Sequence, residues 1–145
     1  MKLSTRGRYG LRAMVYLAQN DGQGPVSLSA ISLDEDISLH YLEQLMRKLR
    51  IDGLVTSTRG ARGGYSLAKP AQELSVGDIL RSLEGDLSFT ECLEHGCCEK
   101  GDACSTRMLW DRINQGILTI INNTTLQELT TEEPKGDEHA FADLS

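Results

Sequence analysis

The chain contains 145 residues with a mass of 16.0 kDa, the size of one domain or of a small domain with an accessory element. Apolar residues make up 39% and charged residues 25%, so the chain can bury a core, and wholesale disorder is excluded. The net charge is −6, an acidic value that would ordinarily argue against nucleic-acid binding.

The average charge conceals two halves of opposite sign. Residues 1–69 carry ten basic and six acidic side chains, whereas residues 70–145 carry five basic and fifteen acidic ones. The basic half is suited to binding a polyanion, and the acidic half is expected to have a different function. No apolar run approaches the roughly 20 residues of a membrane helix, and the first residues lack the apolar stretch of a signal peptide. We therefore expect a cytoplasmic protein whose thiols stay reduced.

Two helices are predicted before residue 36. Apolar residues recur at helical spacing over residues 5–20, and a turn containing Gly and Pro follows. Ser27 is placed to cap a short second helix, whose inward side chains are predicted to be Leu28, Ile31 and Leu33.

A third helix is predicted from Leu39 to about Asp52, with Ser38 as its cap and one apolar stripe. That stripe consists of Leu42, Leu45, Met46 and Leu49. The opposite face is polar and cationic, with His40, Glu43, Gln44, Arg47, Lys48 and Arg50. Two short helices joined by a tight turn are typical of a helix-turn-helix when the second presents such a face. From the helices alone, a DNA-binding face and an ordinary solvated surface are equally well supported.

The segment after the third helix favours DNA binding. Residues 54–57 and 65–68 are predicted strands, and the hairpin between them holds Arg59, Arg62 and three glycines. Glycine lets the backbone approach a phosphate or a narrow groove, and arginine supplies charge and a planar donor fork. We therefore predict a mostly α protein with a small β-hairpin wing, in which residues 1–84 form a winged helix-turn-helix domain.

Two more helices complete the predicted architecture, one over residues 75–84 capped by Ser75 and a longer one over residues 105–122. The apolar face of the longer helix consists of Leu109, Ile113, Ile117 and Ile120, with Leu118 and Ile121 beside them. This face and a short last helix capped by Thr125 predict a dimerisation element over residues 105–130. The alternative is a helix folded back on its own domain. Residues 131–145 are predicted to be a disordered acidic tail.

Four cysteines lie within thirteen positions of residues 85–104, a polar, glycine-containing segment that is predicted to be a loop. They are Cys92, Cys97, Cys98 and Cys104. A free cysteine usually lies among apolar neighbours, and the expected compartment disfavours disulfides, so a metal centre is the leading interpretation. Zinc usually takes paired knuckles of two to four intervening residues. The wider spacing of Cys92, Cys98 and Cys104 favours an iron–sulfur cluster over zinc by a small margin.

Four short segments can be compared with known families: residues 2–10 (KLSTRGRYG), 37–45 (ISLHYLEQL), 59–65 (RGARGGY) and 76–79 (VGDI). Together they resemble the Rrf2 family of bacterial winged-helix regulators. The cysteine loop, Leu109-Trp110 and residues 122–129 (NNTTLQEL) narrow the resemblance to the iron–sulfur-sensing members, and it extends over about residues 1–130. It implies a homodimeric regulator, mainly a repressor, that binds operator DNA. It also implies a [2Fe–2S] cluster and control of genes for iron–sulfur cluster biogenesis.

The thiolate ligands that the resemblance implies are Cys92, Cys98 and Cys104. The chain departs from the family pattern at Arg107, where the cluster-binding relatives place a histidine three residues after the third cysteine. A guanidinium stays protonated and cannot replace that histidine. The fourth ligand therefore stays open, with His95 and Cys97 as candidates. Two alternative hypotheses remain: the chain senses nitric oxide, redox state or sulfur metabolites, or the cysteines hold a structural zinc ion.

On DNA, the resemblance places the third helix in the major groove and the wing beside the minor groove. His40, Glu43 and Gln44 are expected at base edges, because glutamine suits adenine and glutamate accepts from cytosine N4. Arg59 is expected to enter the groove, and Arg12 is expected to be a solvated surface charge. Phosphate contacts are expected from Lys48, Arg50, Arg62, Arg6 and Arg8.

The separated histidines and the lack of a nucleophile or phosphate-loop motif indicate that the chain is not an enzyme.

Overall fold

The computed structural model describes residues 2–94 and 103–131. The elements in chain order are α1 (Thr5–Gln19), α2 (Leu28–Glu35), α3 (Leu39–Ile51), β1 (Val55–Thr58), β2 (Gly64–Leu67), a 3-10 turn (Ala71–Glu73), α4 (Val76–Glu84), α5 (Glu91–Glu94), α6 (Arg107–Asn123) and α7 (Leu126–Thr131). The predicted fold class, mostly α with a two-stranded hairpin, is confirmed. Within the described ranges, no helix combines the length and apolar character needed to cross a membrane.

Serine caps begin three of the helices at the predicted positions. Ser27 Oγ accepts a backbone N–H of the first turn of α2 at 3.2 Å, and Ser38 Oγ accepts the Tyr41 N–H at 3.2 Å. Ser75 forms a full capping box at α4, because its hydroxyl accepts from the Asp78 N–H while the Asp78 carboxylate accepts from the Ser75 N–H. These bonds satisfy N–H groups that the helices leave without internal partners.

Leu33 was wrongly predicted to face inward, since it is 83% exposed. The inner face of α2 passes through Leu28, Ile31, Ser32 and Glu35, and position 33 falls on the opposite side of the helix. The apolar stripe of α3 is buried as predicted, with Leu42 and Met46 inaccessible to solvent, like Met14 and Ile79 of the same core.

The structure also corrects several element boundaries. Both strands are displaced by one residue, to 55–58 and 64–67, and α6 begins at Arg107 rather than at residue 105. The predicted loop 85–104 contains the helical turn α5. Residue 131 closes α7 instead of opening the tail, and the rest of that predicted tail, residues 132–145, lies outside the described residues.

The wing is held against the helices by a third extended segment. Val26, between α1 and α2, exchanges two backbone hydrogen bonds of 2.8 Å with Tyr65 of β2. Gly64 beside it has a φ of +152°, and a Cβ there would overlap the Val26 carbonyl. No sequence pattern predicts this contact, because a single bridging residue has no periodicity.

The long helix α6 packs on its own domain with one face and leaves another face uncovered. Leu118 and Ile121 contact a small hydrophobic cluster built around α4. Leu109 and Ile120, which belong to the predicted dimerisation stripe, are 50% and 66% exposed. Folding back therefore accounts for only part of the apolar surface of α6.

Candidate DNA-binding face and cysteine loop

The three side chains predicted to read bases lie together on the surface of α3. His40, Glu43 and Gln44 are all exposed, and their spacing places them on one side of the helix, away from the buried stripe. Nε2 of Gln44 lies 3.2 Å from Nε2 of His40. The structure thus presents a compact set of donors and acceptors at the start of α3, and their contacts with bases stay a prediction.

Both arginines of the wing are available to an external anion. Arg59 and Arg62 are exposed and form no ion pair within the described part of the chain. The tip turns tightly between them, with Gly60 at a φ of +104° and its carbonyl accepting the Gly63 N–H at 3.0 Å. A left-handed φ favours glycine, so the conformation of the turn explains the presence of glycine there. The turn conformation does not require the two arginines.

Two of the predicted phosphate contacts already have partners inside the protein. Lys48 Nζ lies 2.9 Å from the Asp52 carboxylate, and Arg50 Nη1 is 3.4 Å from the Ser57 hydroxyl. Both side chains are exposed, so a phosphate would compete with these intramolecular partners. Their contribution to DNA affinity is therefore expected to be smaller than that of an unpaired cation.

The first turns of α1 carry the other predicted phosphate contacts, Arg6 and Arg8, which are exposed. The guanidinium of Arg8 lies 5.9 Å from the ring centroid of Tyr9. Arg12 was predicted to be a solvated charge, but it forms an ion pair of 2.9 Å with Glu35 and lies 5.6 Å from the same ring. Sequence reasoning missed this pair because Glu35 is on α2, and only the packing of the two helices brings the charges together.

Asp52 fastens the end of α3 to α4. Its carboxylate accepts from the Ser82 hydroxyl at 2.5 Å and from Lys48 Nζ at 2.9 Å. The hydrogen bond from Ser82, followed by that from Lys48, holds the pKa of Asp52 below its ordinary value of 3.8. The orientation of α3 relative to α4 thus depends in part on an ionised carboxylate.

We expect the free energy of unfolding to fall when the pH is lowered through the carboxyl range. The pKa of Asp52 is lower in the folded protein than in the unfolded chain, so its ionised form stabilises the fold at a pH above the unfolded value of 3.8. That stabilisation is lost as the pH falls through the lower folded value. Urea unfolding measured from neutral pH down to about 3 should show this slope, and Asp52→Asn should flatten it. An equal slope in the variant would mean that other carboxylates carry the effect.

The cysteine loop is anchored at its start on α6. Cys92 lies exposed in α5, and Cys104 lies half-buried just before α6. The Phe89 N–H donates to Oδ1 of the buried Asn114 at 2.9 Å, and the Phe89 ring lies 6.1 Å from that of Trp110. The segment that leads to Cys92 is therefore tied to the helix that also carries the uncovered apolar stripe.

The other candidate ligands, His95, Cys97 and Cys98, lie outside the described residues. Within the described ranges, no three His, Cys, Asp or Glu side chains gather as a metal site would require. The donor chemistry fits an iron–sulfur group, because thiolates are its usual ligands. Thr90 Oγ1, two residues before Cys92, is buried and has no hydrogen-bond partner among residues 2–94 and 103–131, which leaves a donor available at the base of the loop. A bound group beside Cys92 would give that hydroxyl an acceptor.

The chain is similar to known regulators over nearly its whole length. The Rrf2 family, described as an iron-dependent transcriptional regulator, matches residues 3–132. The HTH-type transcriptional regulator IscR of Klebsiella pneumoniae is 41% identical over 133 residues, which are 92% of this chain and 82% of that protein. The solved structure of CymR, the global cysteine regulator of B. subtilis, is 45% identical with a TM-score of 0.79, covering 90% of this chain and 96% of that one. The structure of T. potens IscR is 41% identical with a TM-score of 0.73, covering 89% and 85%.

Proposed function

Because the chain belongs to the Rrf2 family of transcriptional regulators, we propose that it is a DNA-binding regulator that senses iron–sulfur cluster status. It acts mainly as a repressor of iron–sulfur cluster biogenesis genes, with a [2Fe–2S] cluster held by Cys92, Cys98 and Cys104. The family consists of transcriptional regulators and not of enzymes. The observation that carries the proposal is the anchoring of the segment that leads from α4 to Cys92, which is tied to α6 by the hydrogen bond from Phe89 to Asn114.

The chain's own residues divide the work of DNA recognition. Gln44 and Glu43 read base edges in the major groove, while Arg59 enters the minor groove from the wing. The Glu43 carboxylate is repelled by phosphates unless a base amine faces it, so it disfavours sites that lack a suitably placed cytosine. Exposed cations around this face hold the backbone and set the register without reading sequence.

A homodimer is part of the proposal. Leu109 and Ile120 leave an apolar stripe exposed on α6, and a second copy of the same stripe would cover it across a two-fold axis. Helix-turn-helix proteins place two recognition helices in successive major grooves through such dimers. In this arrangement the start of each cysteine loop lies beside the dimer helix, because Asn114 and Trp110 of α6 contact Phe89.

Gain or loss of the cluster would change the charge and the conformation of the cysteine loop. Cys92 and Cys104 hold the two ends of the binding segment, and Thr90 offers its buried hydroxyl to an acceptor there. Arg107 is half-buried at the first position of α6, and its N–H donates to the Cys104 carbonyl at 3.3 Å. With arginine at this position, the fourth ligand comes from elsewhere, and His95 and Cys97 are the candidates in the loop.

A second candidate function is a regulator of the same family that senses sulfur metabolites, redox state or nitric oxide. Two observations favour it: the similarity to the cysteine regulator CymR at 45% identity, and Arg107 at the position of the expected histidine ligand. A structural zinc held by the same thiols would give a third version. All three share the DNA-binding face and differ in what the loop binds.

The deciding experiment is anaerobic purification followed by a visible absorption spectrum and assays of iron, sulfide and zinc. We expect a brown protein with equal iron and sulfide, and a colourless Cys92→Ala variant, because one thiolate ligand is lost. Ser105→Ala, an exposed change beside Cys104, is the matched control and should keep its colour. Cys97→Ala should lose iron only if Cys97 is the fourth ligand. A colourless wild-type protein that contains zinc would contradict cluster sensing and favour the structural zinc site. A wild-type protein that stays empty after reconstitution with iron and sulfide would also contradict cluster sensing and would favour the second candidate.

A further inference from the structure

The carboxylate of Glu84, the last residue of α4, caps the N-terminus of α1 from outside that helix. Its Oε1 accepts from the Ser4 N–H at 2.9 Å, from the Ser4 hydroxyl at 2.5 Å and from the Gly7 N–H at 3.0 Å. Ser4 occupies the N-cap position of α1, yet its own side chain makes no capping bond to the helix. Glu84 therefore supplies the cap that a serine ordinarily provides, at the helix end where a negative charge is favoured.

The fit of this carboxylate depends on glycine in α1. A Cβ on Gly7 would lie 2.5 Å from Oε1 of Glu84, and a Cβ on Gly10 would overlap Leu83 one turn further along. Burial disfavours the charged form of Glu84, but hydrogen bonds from Ser4 and Gly7 outweigh it, so the pKa of Glu84 lies below its ordinary value of 4.5. The cap is thus an ionised group in a space shaped to hold it.

Glu84 also joins the segment that leads to Cys92 to the first turn of α1. On one side, the chain continues through a glycine with a φ of +84° into the segment that carries Cys92. On the other side, the capped turn contains the exposed Arg6. The Thr5 hydroxyl in the same turn lies 3.0 Å from the Tyr41 hydroxyl of α3. The first turn of α1 therefore touches both a predicted phosphate contact and the helix that reads bases.

We propose that Glu84 is a positioning residue that transmits the state of the cysteine loop to the DNA-binding face by holding or releasing the first turn of α1. The inference rests on the proposed function, because it requires a loop with two states. Displacing the end of α4 removes three hydrogen bonds from α1 at once. Arg6 then moves with the released turn, and Tyr41 loses its contact with Thr5. DNA affinity changes although Glu84 itself does not touch DNA.

The first test is amide hydrogen exchange over residues 2–11 in the full chain, with and without reconstituted iron and sulfide. In the wild type, we expect exchange to differ between the two states by about tenfold. Glu84→Ala should exchange fast in both states, and Glu84→Gln, which keeps an acceptor oxygen, should be intermediate. Glu73→Gln is the matched control, because Glu73 is an exposed carboxylate of the 3-10 turn with no side-chain hydrogen bond to the described residues. Thermal melting establishes that each variant is folded.

The second test is DNA affinity, measured on a duplex selected from a random library by the wild-type protein in its tighter-binding state. We expect the wild-type affinities of the loaded and empty states to differ by about tenfold, and those of Glu84→Ala to differ by less than about twofold. A merely structural role would weaken both states equally and leave the ratio unchanged. That result, with full iron content in the variant, would overturn the inference alone. A wild-type chain that binds no iron and sulfide would overturn the proposed function and this inference together.

Discussion

Ile120→Glu is expected to convert the protein into a monomer and to lower its affinity for a two-site operator by about 100-fold or more, since linked binding of both half-sites is lost. Ile120 is 66% exposed on α6 and shares its apolar stripe with Leu109. In a two-fold dimer the introduced carboxylate would be buried near its own copy, and an unpaired buried charge is strongly unfavourable. Light scattering should give twice 16.0 kDa for the wild type and 16.0 kDa for the variant.

Gln115→Glu is the matched control for this change. Gln115 is exposed on the same helix but lies on another side of it, so the variant adds the same charge outside the stripe. It should remain a dimer and bind DNA like the wild type. If Ile120→Glu also stayed a dimer, α6 would not be the interface. The exposed stripe would then need a different partner.

Local signals in the sequence predicted most of the helical framework. Capping by Ser27, Ser38 and Ser75 involves atoms only three residues apart, so the sequence alone determines it. The buried stripe of α3 follows from the helical period in the same way. Boundaries at the wing were less accurate, because the strand ends depend on which residues pair across the hairpin.

Contacts between distant segments could not be predicted from one sequence. Ser4 and Glu84 are 80 residues apart, and their hydrogen bond depends on how α1 and α4 pack. The bridge between Val26 and Tyr65 likewise appears only once the wing is folded against α1 and α2. One sign of the first contact was present in the sequence: the glycine at position 7 interrupts a helical pattern, where glycine ordinarily weakens the helix. Glycine is required at position 7 because the Glu84 carboxylate occupies the space that a side chain would fill.

The candidate DNA-binding face was predictable in part, because helical periodicity is a local property of the sequence. Exposed positions on one side of α3 follow from periodicity, so His40, Glu43 and Gln44 could be grouped before the fold was known. Periodicity does not reveal which cations are already paired. Lys48 and Arg12 both have carboxylate partners, and the Arg12 pair joins two helices. The wing arginines differ from these two, because within the described residues they have no such partner, which gives them the larger expected role.

Arg59→Ala is expected to lower specific DNA affinity by about tenfold to 100-fold, in line with the loss of one arginine that reads a groove. Arg59 is exposed at the tip of the wing, next to Gly60 at a φ of +104°, and forms no ion pair with the part of the chain that the structure describes. Fluorescence anisotropy with a selected duplex measures the specific affinity, and the same measurement with an unrelated duplex measures the non-specific affinity. A groove contact lowers only the specific affinity by this amount, whereas a phosphate contact lowers both affinities similarly.

Arg59→Lys refines the same prediction, because lysine keeps the charge and loses the planar donor fork. A groove-reading role predicts that Arg59→Lys behaves nearly like Arg59→Ala on the selected duplex, and a phosphate role predicts near wild-type binding. Arg112→Ala removes one exposed cation from α6, away from the wing, and controls for the change in net charge. If Arg59→Ala and Arg112→Ala bound the selected duplex equally well, the wing would contribute only general electrostatic attraction. Sequence discrimination would then be confined to α3.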